Sequence, residues 1–199
     1  MISSPGKKIF GIGLSRTGTT SLHELLVTLG YRSIHFVHDL VDNPASEIVN
    51  AYDALMDTPI PQFYPVLDKK YPNSQFILTT RHKEKWLDSM KWLFTHGKVI
   101  WNWPESTHEY HLMFYGTRTF NKKILSDHFD NFHHQAFIYF KDRPQDLLCI
   151  NIDEKINMDE IASFLNMPTN DLSFPKSNGR KYASFMSRLR YNWRHYTNS

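Results

Sequence analysis

The chain of 199 residues contains a single cysteine, Cys149. One thiol excludes a disulfide within the chain and any zinc site built mainly from cysteine. No apolar run approaches the roughly 20 residues that a membrane-spanning helix needs. The N-terminal residues carry charge, but the apolar stretch of a secretory signal peptide does not follow them. These features predict a protein without a membrane span in a reducing, cytoplasmic compartment.

The excess of one sign of charge is also small, because the chain has 23 Lys and Arg residues and 20 Asp and Glu residues, a net charge of +3. This balance suits an anionic small ligand, and nucleic acid is not expected as a partner. Internal repeats, low-complexity tracts and long linkers are absent from the sequence. We therefore predict one domain over residues 1–199, with a core at about 8–178 and a basic, aromatic helix at about 180–197.

A lysine is missing from the most informative stretch, residues 9–22. Gly13 and Gly18 have the spacing of a P-loop, G-x-x-x-x-G-K-[ST], but Thr19 occupies the lysine position. Glycines expose backbone N–H groups, the following helix adds its positive end, and Arg16 adds a permanent charge. The pattern favours phosphate or sulfate binding. The alternative interpretation is an ordinary strand-turn-helix junction without a ligand. The predicted ligand residues here are Ser15, Arg16, Thr17, Gly18, Thr19, Thr20 and Ser21.

Strands and helices alternate along the chain. We predict strands at 8–13, 33–37, 52–57, 75–80 and 146–151, and helices at 19–29, 44–50, 61–70, 84–95, 106–125, 129–140 and 157–165. This order predicts an α/β fold with a parallel sheet covered on both faces. Ligands of such sheets bind at the carboxyl ends of the strands, where Arg16, Asp57 and Arg81 are expected to lie.

Two motifs resemble those of the sulfotransferases that use 3′-phosphoadenosine 5′-phosphosulfate (PAPS). Residues 13–22, Gly-Leu-Ser-Arg-Thr-Gly-Thr-Thr-Ser-Leu, resemble the 5′-phosphosulfate loop of these P-loop-fold enzymes, which keeps a basic residue and lacks the Walker lysine. Residues 76–89 resemble the 3′-phosphate motif, in which a strand ends in arginine and a serine follows eight residues later. With a third similarity at 161–178, the resemblance covers about residues 9–178.

The resemblance implies a three-layer P-loop-type sandwich that moves a sulfuryl group from PAPS to an acceptor and releases 3′,5′-ADP. Arg16 and Thr20 are then expected as catalytic groups at the phosphosulfate. Arg81 and Ser89 are expected at the 3′-phosphate. By analogy with phosphoryl transfer, the protein mainly positions the groups and stabilises charge. A sulfuryl group carries less charge than a phosphoryl group, so no metal is required.

The resemblance has a weaker part in the tail. Arg180 and Lys181 fall where related enzymes place a basic loop over the 3′-phosphate, although the family's glycine-lysine pattern is not cleanly matched. Upstream, the Trp-Asn-Trp-Pro stretch at 101–104 suits a lid. The aromatic residues of 92–120 either line a ligand pocket or pack helices on the sheet.

An acceptor hydroxyl needs a base that removes its proton. Asp57 is the first candidate, because it ends a predicted strand at a position resembling that of the catalytic glutamate in some sulfotransferase branches. The structural alternatives for this residue are a helix N-cap and an aspartate that bonds to the loop. Other branches use histidine, and the competing histidines are His35, His38, His82, His108 and His111. The histidines lack neighbouring ligands at zinc spacing, so no metal site is expected.

The sequence leaves the acceptor open between a hydroxyl and an amine, on a small molecule or a glycan, and it leaves the oligomeric state open. Two other functions are compatible with the loop. One is a P-loop nucleotide-dependent kinase, which the missing lysine disfavours. The other is a non-catalytic nucleotide- or partner-binding protein that retains the fold.

Overall fold

The computed structural model describes residues 7–43, 46–168 and 173–176. Within these residues, five parallel strands form one sheet in the order β2-β3-β1-β4-β5. The strands are β1 (Ile9–Gly11), β2 (Ser33–His35), β3 (Ala54–Met56), β4 (Gln75–Thr80) and β5 (Leu147–Asn151). The chain moves from β1 to one side of the sheet and then, after β3, to the other side. The carboxyl ends on either side of β1 therefore face a shared crevice.

Helices connect and cover the strands. They are α1 (Thr19–Thr28), α2 (His38–Asp42), α3 (Ile60–Lys70), α4 (Lys83–Trp92), α5 (Lys98–Ile100), α6 (Glu105–Tyr115), α7 (Lys122–Tyr139) and α8 (Met158–Leu165). Short 3-10 helices occur at Glu47–Ala51 and Pro144–Asp146, and a π-helical turn at Leu93–Gly97 joins α4 to α5. In the described parts of the chain, no helix combines the length and apolarity needed to cross a membrane.

Side chains alternate between the two faces of the sheet, and each face has its own core. Phe10, Leu55 and Phe76 are fully buried on the face covered by α3, α4, α6 and α7. Ile9 and Ile77 point to the opposite face, which α1 and α8 cover. Burying one such side chain contributes roughly 1.5–3 kcal/mol relative to leaving it in water. The predicted three-layer α/β sandwich with a parallel sheet is therefore confirmed.

The boundaries of α1 and β4 follow from local sequence. The apolar run at 75–80 forms β4, as predicted. Gly30 ends α1 with a φ of +90°, and Tyr31 N–H donates to Leu26 O at 3.0 Å. This is the six-to-one hydrogen bond of a Schellman cap, which glycine favours because it adopts positive φ without strain.

The prediction of helices at 106–125 and 129–140 was wrong about where one helix ends and the next begins. Gly116 leaves α6 with a φ of +75°, and the Asn121 side chain accepts the Ile124 N–H at 3.1 Å at the start of α7. A glycine C-cap and an asparagine N-cap therefore set the break. The helix predicted at 84–95 continues through the π-helical turn to Ile100. Of the predicted helix at 44–50, residues 44 and 45 lie outside the described residues, and the rest contributes to a 3-10 helix.

A glycine is required where the chain leaves β1 and passes over the end of β4. A Cβ on Gly13 would lie 1.9 Å from Thr79 Oγ1 and 2.6 Å from Thr79 O. The obstruction includes backbone, which cannot rotate away as a side chain can.

We expect Gly13→Ala to destabilise the fold by about 3 kcal/mol, at the upper end of overpacking costs, and to lower Tm by roughly 6–12 °C. Gly30→Ala is the matched control, because a Cβ at Gly30 meets nothing within 4 Å and only its φ of +90° is strained. That control should cost about 1–2 kcal/mol. Thermal unfolding followed by circular dichroism measures both, and equal Tm values for the two variants would contradict the close approach.

Candidate active site

The loop between β1 and α1 turns tightly over the carboxyl edge of the sheet. Arg16 and Gly18 have left-handed φ values of +72° and +95°, and Thr17 N–H donates to Leu14 O at 3.2 Å. Within the described residues, no side chain caps α1 and no acid stands in its first turn. The N–H groups and the positive dipole end of α1 can therefore bind an anion beside the loop.

Side chains from α4 and α6 fix the loop backbone. Ser15 N–H donates to the Tyr115 hydroxyl at 3.2 Å, and Trp86 Nε1 donates to Ser15 O at 3.0 Å. The Thr17 hydroxyl is buried, where it donates to Leu14 O at 2.6 Å and lies 2.9 Å from Thr79 Oγ1. In this structure the Thr17 side chain therefore braces the loop from within.

Asp57 follows β3 and is surrounded by donors. Its Oδ1 accepts hydrogen bonds from Ser15 Oγ and from Thr58 N–H, both at 2.7 Å. Its Oδ2 accepts from Thr19 Oγ1 at 3.0 Å and lies 2.9 Å from His35 Nε2. Burial alone would raise the pKa of this carboxyl, but His35 and the hydrogen bonds outweigh burial and hold the pKa well below its usual range. Asp57 is therefore an ionised and tightly bound carboxylate.

His35 reaches this carboxylate because of the sheet register. It pairs with Met56, the residue before Asp57, at the end of β2. Its Nε2 lies 3.1 Å from Thr19 Oγ1 and 3.2 Å from Thr20 Oγ1. The imidazole thus lies over the first turn of α1, between the acid and the loop hydroxyls.

The other histidines considered as bases have different surroundings. His82 is exposed, and His108 contacts the Trp103 ring with centroids 5.7 Å apart. His111 is buried among aromatic rings, and burial, together with His108, lowers its pKa to about 4. The side chain of His38 lies outside the described residues.

Arg16 is directed towards α4. Its Nε donates to Ser89 Oγ at 3.0 Å, and its guanidinium lies 5.3 Å from the centroid of the Trp92 ring. A cation over a tryptophan face is stabilised by the ring quadrupole. The structure therefore joins Arg16 of the first motif and Ser89 of the second by a direct hydrogen bond.

Arg81 follows β4 and contacts the same loop. Its Nη1 donates to Arg16 O at 3.5 Å, and its Nη2 lies 3.4 Å from Asp153 Oδ1. Its Nε is buried and has no hydrogen-bond partner among the described residues. A guanidinium with an unsatisfied N–H can donate a charge-assisted hydrogen bond to an anion.

The remaining predicted ligand residues divide into two groups. Gly18 and Ser21 lie at the start of α1, where Ser21 is buried and a Cβ on Gly18 would lie 2.8 Å from Ile152 Cγ2. Arg180 and Lys181 lie outside the described residues.

The Trp-Asn-Trp-Pro stretch, proposed as a lid, is packed against its neighbours. The Trp101 ring lies 5.7 Å from that of Trp92 and is 38% exposed. A Cβ on Gly97 would lie 2.9 Å from Trp101 Cζ3, so glycine lets this ring lie against the π-helical turn. Trp103 contacts His111 with ring centroids 4.4 Å apart. Through Trp101 the stretch thus contacts Trp92, the ring that lies under Arg16.

The sequence did not predict the contacts that Trp86, Tyr115 and Asp153 make in the site. Trp86 and Tyr115 bond the loop across 71 and 100 residues of chain, and spacing gave no signal for either. Asp153 had a signal, because it is an acid two residues beyond a buried strand. The rule that placed Asp57 at the carboxyl edge of the sheet also applies to it.

We expect Asp57→Asn to lower Tm at pH 7 by roughly 4–8 °C, because removing the charge removes about 2 kcal/mol of charge-assisted hydrogen bonding. Since the folded pKa is depressed, this stabilisation is complete above the unfolded pKa of about 3.9 and is lost as pH falls from there towards the folded pKa. The Tm of the variant should therefore fall less steeply than that of the wild type below about pH 4.

Differential scanning calorimetry from pH 7 to pH 3 measures both effects. Asp127→Asn is the matched control, because Asp127 forms an exposed ion pair with Lys123 at 2.7 Å. If Asp57→Asn and the control give parallel curves, Asp57 does not carry this stabilisation.

Comparison with known proteins agrees with this geometry. "Ava biosynthesis cluster protein M" of Aspergillus versicolor is 32% identical over 108 residues, which cover 42% of this chain and 42% of that protein. The chain thus matches less than half the length of this relative. Residues 8–183 match the family described as "Sulfotransferase domain", a range that includes the loop, Asp57 and the Arg81 motif. The chain therefore belongs to the sulfotransferase domain family.

Proposed function

We propose that this chain transfers a sulfuryl group from PAPS to a hydroxyl or amine of a small-molecule or glycan acceptor, releasing 3′,5′-ADP. The observation that supports the proposal is that two groups of donors able to bind an anion adjoin each other. One consists of the α1 N-terminus with Arg16, and the other is Arg81 with its buried, unsatisfied Nε. The 3.5 Å contact from Arg81 Nη1 to Arg16 O joins them. PAPS carries one anionic group for each site.

The residues present fit this donor. In the proposed complex, the α1 N-terminus and the Thr20 hydroxyl bind the phosphosulfate, and Arg16 stabilises the charge that develops on the leaving phosphate. Arg81 and Ser89 bind the 3′-phosphate. Thr19 takes the place of the P-loop lysine and donates to Asp57 at 3.0 Å. A hydroxyl held by a carboxylate suits sulfuryl transfer better than phosphoryl transfer from Mg-ATP.

We assign removal of the acceptor's proton to the Asp57–His35 pair. Asp57 is ionised, but the donors around both of its oxygens make it a weak base by itself. When His35 donates Nε2–H to Asp57, its Nδ1 keeps the lone pair that takes a proton. The carboxylate then stabilises the imidazolium that forms. Asp57 thus orients the base and balances its charge.

We expect the wild-type chain to bind 3′,5′-ADP with micromolar affinity at low salt, because the product retains both phosphates. Arg81→Ala should weaken binding roughly 10–100-fold, the value of a hydrogen bond to a charged group. Isothermal titration calorimetry measures this. Arg32→Ala is the matched control, because Arg32 pairs with Asp53 at 2.8 Å on an exposed surface. Absence of 3′,5′-ADP binding by the wild type would refute the donor assignment.

His35→Gln and Asp57→Asn should each lower kcat for transfer of label from sulfate-labelled PAPS by roughly 10²–10⁴-fold, the usual contribution of a general base. His82→Gln is the control, since His82 is exposed.

Three other outcomes of the assay have distinct meanings. Full activity of both variants would place the base elsewhere. Binding of 3′,5′-ADP without transfer to any acceptor would indicate a non-catalytic binding protein. Turnover of Mg-ATP unaffected by PAPS would indicate a kinase.

A further inference from the structure

The turn that follows β5 contacts both of the proposed anion sites. Ile152 N–H donates to Thr80 O at 2.9 Å and extends the pairing of β4 with β5 beyond the strands. The Ile152 side chain lies against Gly18, where a Cβ would approach its Cγ2 to 2.8 Å. The next residue, Asp153, is thereby brought beside the start of α4.

Asp153 accepts hydrogen bonds from groups that surround the predicted 3′-phosphate site. Its Oδ2 accepts the His82 N–H at 2.8 Å, and its Oδ1 lies 3.4 Å from both Arg81 Nη2 and Lys85 Nζ. The side chain is only 9% exposed. Burial would raise the pKa of this carboxyl, but the His82 N–H and the charges of Arg81 and Lys85 outweigh burial and lower it. Asp153 is therefore ionised, and the backbone N–H of His82, the residue before α4, anchors it.

The consequence for Arg81 is geometric. Its Nη2 is held by Asp153 and its Nη1 by Arg16 O, at 3.4 and 3.5 Å. A guanidinium is planar, so two fixed Nη atoms set the plane in which Nε–H must donate. That Nε is buried and has no partner within the described part of the chain. Asp153 thus limits the direction in which the Nε–H of Arg81 points.

We propose that Asp153 is a positioning residue that enables the site to discriminate nucleotides with a phosphate on the 3′-oxygen from those without one. The proposal rests on the proposed function, since it assigns the Arg81 end of the site to that phosphate. Preorganising a flexible arginine removes part of the entropy that binding would otherwise cost. The negative charge of Asp153 acts in the opposite direction, because it repels a phosphate. The two effects are separable by substitution.

The experiment measures the affinities of the full chain for 3′,5′-ADP and for 5′-AMP by isothermal titration calorimetry. The Kd of 5′-AMP divided by the Kd of 3′,5′-ADP reports recognition of the 3′-phosphate alone. Asp153→Ala should lower this ratio about tenfold, the value of one charge-assisted hydrogen bond, and leave the Kd of 5′-AMP unchanged. Asp153→Asn keeps an acceptor oxygen, loses the charge and should retain most of the discrimination.

Two further variants complete the design. Adding Asp153→Ala to Arg81→Ala should change the ratio no further, because Asp153 acts through Arg81. Asp130→Ala is the matched control, since Asp130 of α7 pairs with Lys83, the first residue of α4, at 2.7 Å and is 59% exposed. If Asp153→Ala does not fold, Asp153→Ser gives the same comparison, with a side chain too short to hold Arg81.

Several results would overturn the proposal. An unchanged ratio in Asp153→Ala would show that Arg81 needs no positioning. Tighter 3′,5′-ADP binding would show that repulsion is the main effect of the carboxylate. Equal weakening towards both nucleotides would show a general structural role. If the wild type binds 3′,5′-ADP, these results leave the proposed function intact; a wild type that binds neither nucleotide would overturn both.

Discussion

The site depends on one buried carboxylate. Asp57 joins three segments of chain, because the loop after β1, the turn after β3 and the end of β2 all donate to its two oxygens. A charge buried in this way is stable only when its partners stay in place, so removing any of them carries a penalty. The acid therefore holds Ser15, Thr19 and His35 in one arrangement at the edge of the sheet.

Around this carboxylate, polar and charged side chains with fixed partners line the crevice. Asp57 lies beside His35, Arg16 stacks on Trp92, and Arg81 lies between the loop and Asp153. Each of these side chains has at least one contact that limits its movement. Such fixed charges reorganise little when a ligand arrives, which is the condition for effective electrostatic stabilisation of a transition state. The fold of the sulfotransferase family supplies this rigidity through the parallel sheet beneath.

Features set by neighbouring residues could be predicted from the sequence, and features set by distant residues could not. The loop, the strand β4 and the cap at Gly30 each follow from a few adjacent residues. The anchoring of Ser15 by Tyr115 joins positions 100 residues apart, which no local pattern reports. His35 could be proposed only as one histidine among several, because its position beside Asp57 depends on strand order and register. The exact residue at which α6 ends required the cap geometry at Gly116.

The π-helical turn between α4 and α5 has a consequence for the position of Arg16. Gly97 leaves room for Trp101, Trp101 contacts Trp92, and Trp92 lies under the guanidinium of Arg16. Each contact in this series limits the freedom of the next. Gly97 and Arg16, 81 positions apart in the chain, are therefore linked through two intervening tryptophan rings. An irregular helix turn outside the site thus helps to hold the Arg16 guanidinium in its position.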